Sequence, residues 1–268
     1  RFLSSFALER DLATQGRVIT ALAKRALRVQ LRRAQFLLPS FLLPLLLLAV
    51  VASGTSAAQQ LPGFPNTGSY VGFVVSGTIM QGTLLAGLMA GIAIAGDIEG
   101  GFFDRLLSAP IHRVSIVLGR VLGTALIGMV QAILFVSVAL LMGADFKGGV
   151  IGVVLTVLLA ALSASAAAGL GATIALRTGS LSLMQNLFPF VFVLLFTAPA
   201  FFPRALLNPV LETISVVNPL SYVVEGMRAA LFDSAALGSV WGGFAAGIGS
   251  VVFTCALAVW AMRSRLRS

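Results

Sequence analysis

Six apolar stretches constrain this chain more than anything else in it: residues 34–52, 70–95, 114–142, 150–176, 183–200 and 239–262. A helix needs about 20 apolar residues to cross a hydrocarbon core of about 30 Å, and these stretches are of that order. The strands of a membrane barrel would be only about 10 residues long and would alternate apolar with polar. The composition agrees: mean hydropathy is +1.02 and 10% of residues are charged, against about 25% in soluble domains. Residues 1–268 therefore read as one all-α integral membrane domain with six transmembrane helices.

The segments between the stretches add the remaining elements. Residues 14–33 place Val18, Ile19, Leu22, Ala26 and Val29 on a helical period among Arg17, Lys24, Arg25, Arg28, Arg32 and Arg33, which predicts an amphipathic helix in the headgroup layer, its basic side on anionic lipid. Pro39 and Pro44 interrupt the first span, and the carbonyls they free need partners from neighbouring helices. A polar loop is expected over 53–69. Residues 201–237 contain Pro203, Pro209 and Pro219 and lack a clean apolar run, so they read as short re-entrant helices on the outer side. All lysines and arginines but Lys147, Arg204 and Arg228, out of 18, then fall on one side, which puts both termini and the 96–113 segment in the cytoplasm. The net charge of +9 follows from that orientation rather than from nucleic-acid binding. The chain opens on Arg1 and not on methionine, so a preceding segment is expected.

Several chemistries lack their residues. No G-x-x-x-x-G-K-[ST] loop occurs, His112 is the single histidine, and no cluster has metal-ligand spacing. No enzyme active site, bound cofactor or metal is expected. Cys255, the one cysteine, lies within the last span. Gln81, Gln131, Gln185 and Asn186 are the strongest polar groups in the spans and are candidates for a translocation path. Glu225 and Arg228, spaced i,i+3, are expected to pair across one helical turn. The pairs Gly87 and Gly91, Gly119 and Gly123, and Gly243 and Gly247 permit close helix packing.

One polar island stands out. The stretch Asp97-Ile98-Glu99-Gly100-Gly101-Phe102-Phe103-Asp104-Arg105-Leu106-Leu107-Ser108-Ala109-Pro110 holds three of the nine acids between two spans. Gly100 and Gly101 allow a break, and Phe102 to Ala109 can form about two helical turns before Pro110 ends them. Apolar anchors and charges side by side predict a docking element for a cytosolic surface.

That stretch, followed by Arg113, resembles the cytoplasmic coupling segment of type-2 ATP-binding-cassette exporter permeases, closest to the daunorubicin-resistance branch. A second element, Asn218-Pro219-Leu220-Ser221-Tyr222-Val223-Val224-Glu225-Gly226-Met227-Arg228, is similar to the Asn-Pro and downstream Arg segment these permeases carry before their last span. The resemblance covers residues 14–262. It implies a permease subunit of the bacterial plasma membrane, paired with a second permease as homodimer or heterodimer and with two separate ATPase subunits that bind ATP and Mg. Asp97, Glu99, Gly101, Phe102, Phe103, Asp104, Arg105, Leu106, Leu107 and Pro110 would couple to the ATPase. The 14–33 helix would be the connecting helix. The expected function is export of an amphiphilic or hydrophobic molecule by alternating access: a drug-like natural product, a lipid or a glycolipid. A non-transporting membrane scaffold and an ion-coupled carrier are the alternatives.

Overall fold

The computed structural model describes residues 2–32, 34–54, 70–107, 112–232 and 237–265, and every regular element among them is helical. In chain order these are α1 (Phe2–Arg32), α2 (Ala34–Gly54), α3 (Tyr70–Glu99), α4 (Phe102–Leu107), α5 (Arg113–Leu141), α6 (Gly149–Thr178), α7 (Leu181–Asn186), α8 (Phe188–Phe196), α9 (Pro209–Val217), α10 (Pro219–Phe232) and α11 (Leu237–Arg265). A single 3-10 turn covers Arg204–Leu206.

The centre is α3. It is apolar on every side, and such a helix must be surrounded; residues 72–92 are all buried, packed by α2, α5 and α6. In turn α6 carries α10 and α11. Small residues set these seams, since close backbone approach is what drives helices together where water cannot. A methyl group on Gly87 would overlap Ala167 of α6, and one on Gly91 would lie 2.9 Å from the Gly171 carbonyl. Gly119 and Gly123 of α5 take Leu22 and Ala26 of α1, and Gly243 and Gly247 of α11 meet Gly226 of α10 and Leu162 of α6. All three predicted glycine pairs thus have partners within this chain.

The amphipathic N-terminal helix is longer than its predicted 14–33 core, and its apolar side lies on α5, with Arg17, Lys24, Arg28 and Arg32 exposed. A hydrogen bond of 2.7 Å from the Ser115 hydroxyl to Gln15 Oε1 adds to that contact.

Among the described residues four helices are long and apolar enough to cross a membrane: α3, α5, α6 and α11. The predicted first span is α2, whose described apolar part is Leu38–Val51. The predicted fifth span, 183–200, is not one helix. It is α7 and α8, broken at Leu187, because Pro189 at the start of α8 has no N–H for an uninterrupted helix. The 201–237 region forms the short α9 and α10. Both begin at a proline behind a capping asparagine: Asn208 Oδ1 accepts from Leu211 N at 2.9 Å and Asn218 Oδ1 from Leu220 N at 3.0 Å. Most of the predicted 53–69 loop, Ser108 to Pro110 and the tail from Leu266 lie outside the described residues.

Two prolines sit inside α2. Pro44 cannot donate to the carbonyl of Ser40, four residues earlier. Gln131 of α5 supplies the missing donor, its Nε2 reaching Ser40 O at 3.0 Å. A predicted path residue therefore has a structural task. Gln131→Leu is expected to lower stability by about 1–3 kcal/mol, the cost of a buried acceptor left unmade. Adding Pro44→Ala restores the backbone donor and should recover most of the loss in a thermal melt of the detergent-solubilised protein. Equal losses in the single and double variants would rule out this pairing.

Candidate functional site

At the end of α3 the chain leaves the apolar bundle through Gly101, whose φ of 68° is open to glycine but costly for other residues. The turn closes with Gly100 N on Gly96 O and Gly101 N on Ile98 O, both 3.0 Å, and α4 begins at once. The predicted break and short helix are both present, α4 being described over Phe102–Leu107.

The root of α4 is held from four sides. Asp97 accepts from Arg120 of α5 and, at 3.3 Å, from Arg25 of α1. The same Arg25 guanidinium lies 3.8 Å from the centre of the Phe102 ring, a cation–π contact. Phe103 is 1% exposed and belongs to the main core, against which Leu106 also packs. Glu99 Oε1 accepts from the backbone N–H of Leu181 at 2.8 Å, so the acid predicted for docking ties α3 to the start of α7. For Asp104, Arg105 and Leu107 only the helical backbone is described, and Pro110 lies outside the described residues. The cluster unites three charges, two positive and one negative, at the junction of α1, α3 and α5.

The Asn-Pro element sits at the start of α3. Asn218 Nδ2 donates to Thr197 Oγ1 at 3.0 Å while its Oδ1 caps α10. The Tyr222 hydroxyl donates to Val216 O at 2.8 Å. Glu225 pairs with Arg204 at 3.2 Å, which corrects the expected Glu225–Arg228 ion pair. The guanidinium of Arg228 points elsewhere: it donates to the carbonyls of Pro199 and Ala200 at 3.0 and 3.3 Å and stacks 3.7 Å from the centre of the Phe73 ring. Burial pushes Arg228 down to about 10, with Glu225 opposing the shift, so it remains a cation at neutral pH. Together these side chains clamp the turn after α8 onto α3.

The four polar candidates do not converge. Gln81 is fully buried in α3 with neither amide atom hydrogen-bonded, Gln131 serves Ser40, and Gln185 and Asn186 are exposed on α7. Sequence reasoning missed Arg120, Arg25 and Arg204 as site residues. A signal for Arg120 was present, since an arginine seven residues into an apolar span requires a partner.

A family described as ABC-2 type transporter matches residues 17–232. The chain is similar to the transport permease ycf38 of Pyropia yezoensis, 33% identical over 168 residues, 60% of this chain and 55% of that protein. The protein of the same name in Porphyra purpurea matches to the same extent. It is also similar to the daunorubicin resistance ABC transporter permease protein DrrB1 of Streptomyces coeruleorubidus, 27% identical over 177 residues, 63% of this chain and 60% of that protein. The chain thus spans less than two thirds of the length of these curated relatives.

Proposed function

This chain belongs to the ABC-2 type transporter family, and on that premise we propose that it is the transmembrane subunit of an ATP-driven exporter working by alternating access in a bacterial plasma membrane. It is a permease rather than an enzyme: two separate ATPase subunits bind and hydrolyse ATP with Mg, and a second permease, identical or related, completes the pathway. In this reading α2 and the α7–α8 pair join the four long helices as six crossings, α9 and α10 re-enter from outside, and both termini are cytoplasmic.

The observation that carries the reading is the mounting of α4. A short helix on a glycine turn could swing freely, but this one is rooted through Phe103, the Asp97 ion cluster and the Glu99 bond to α7. A force applied to α4 by a docked ATPase is therefore delivered to α1, α3, α5 and α7 together. An amphiphilic or hydrophobic cargo is supported by the apolar lining of a groove between α3, α6 and α7–α8, which at about 90 Å³ would have to widen to admit it. Leu84, Leu88, Leu170, Met184, Phe190 and Leu194 are among its walls, and no charged side chain lines it. The Streptomyces relative is named for daunorubicin resistance.

The test is affinity capture of the tagged protein from gently solubilised membranes, with ATP hydrolysis assayed in the eluate. A stoichiometric ATPase is expected with the wild-type chain. Reversing the charges, Asp104→Arg with Arg105→Asp, should lower the captured ATPase at least ~10-fold while membrane insertion is unchanged, because opposed like charges at an interface repel. Undiminished capture by the double variant would defeat the assignment of α4.

A further inference from the structure

We propose that the groove between the start of α5 and the end of α11 is a binding site for one anionic phospholipid. The groove has a volume of about 420 Å³, within the roughly 300–1,000 Å³ of ligand clefts. Its walls are apolar, with Val114 and Leu118 on α5 and Ala256 and Val259 on α11, and it ends at Trp260 and Arg263. That is the shape of an amphiphile: a tail slot closed by an aromatic ring and a cation.

The charges at that end select the headgroup. Arg177 of α6 covers the Trp260 ring at 4.2 Å and reaches the Ser264 hydroxyl at 3.5 Å. Arg265 donates to Leu176 O at 3.2 Å, satisfying a carbonyl in the last turn of α6. The exposed Arg263 has no such task. Neither it nor Arg177 has a carboxylate partner among the described residues, where the ion pairs are those of Arg25, Arg120 and Arg204. Arg263 at the foot of the apolar slot, with Arg177 beyond the slot's lining but stacked on the Trp260 ring, attracts a phosphate, and basic pockets between helices hold anionic lipid headgroups on this principle. A choline headgroup would bring a third cation into the cluster. Free phosphate would leave the apolar slot unfilled.

The chain has two tryptophans, which makes the site readable. Trp241→Phe leaves Trp260 as the only reporter, and Trp260→Phe leaves Trp241, at the other end of α11, as the control. Each variant of the full chain is reconstituted in dibrominated phosphatidylcholine, and unbrominated phosphatidylglycerol is titrated in. Fluorescence recovery at Trp260 should report a preference for phosphatidylglycerol of ~5-fold or more, about what one arginine near a headgroup provides, and Trp241 should report almost none. With Trp260 as reporter, Arg263→Gln should remove most of the preference. So should Ala256→Phe, which fills the slot but leaves every charge in place. Inorganic phosphate should not reverse the recovery. Equal preference at the two tryptophans, a preference that survives Arg263→Gln or Ala256→Phe, or displacement by inorganic phosphate would each overturn the proposal.

Discussion

Asp97→Ala is expected to destabilise the protein by about 3 kcal/mol. Removing one partner of a buried ion pair costs roughly 3–5 kcal/mol because the other charge stays buried without compensation. The lower end applies because the Asp97 side chain keeps 21% of its exposure, although that of Arg120 keeps only 11%. With the carboxylate gone, Arg25 and Arg120 would face each other across an apolar seam. The second half of the experiment separates charge from packing. Asp97→Ala combined with Arg120→Leu removes both charges, and replacing a buried pair by apolar groups is often neutral or stabilising. The double variant should therefore melt well above the single one. A melting midpoint for Asp97→Ala equal to wild type would show that the cluster is not a joint of the fold.

Arg228→Leu should be comparably damaging at the far end of the molecule. It deletes two hydrogen bonds from a charged donor, each worth roughly 1.5–3 kcal/mol, so a loss of about 3–5 kcal/mol is expected. Arg228→Lys should fall between, because both bonds leave one guanidinium nitrogen, which an ammonium can replace, whereas the flat stacking on the Phe73 ring is lost. The effect should be local before it is global: hydrogen exchange across residues 197–206 should rise in Arg228→Leu while exchange at the centre of α6 changes little. Unchanged exchange in that turn would show that Arg228 does not hold it.

Much of the local structure was legible in the chain. Proline and glycine act through the backbone of their own neighbourhood, so the turn at Gly101, the short α4 and the helix starts at Pro209 and Pro219 could all be read from the sequence. The break at Leu187 could have been read too. Pro189 announces it, but the strong apolarity of 183–200 by itself predicts one span.

The pairings were less legible. Glu225 and Arg228 have the spacing of a helical ion pair, yet Arg204 lies closer to Glu225 once the turn before α9 folds back, and Arg228 is claimed by carbonyls that no side-chain pattern announces. Gln131 is 91 residues from the carbonyl it satisfies. The glycine pairs announced close packing without saying against which helix.

The sequence by itself determined that the chain is a helical membrane protein, because hydrocarbon tolerates only backbones that satisfy themselves and because about 20 apolar residues have one use at that composition. It also determined the polar island and its hinge. Only the tertiary structure decided that the island is anchored rather than loose, that Asp97 is shared by two arginines from different helices, and that Arg263 is left without a described counter-charge. The physical reason is that helix formation is settled by hydrogen bonds four residues apart, whereas a charge finds its partner through space, and which helix occupies that space depends on every seam at once.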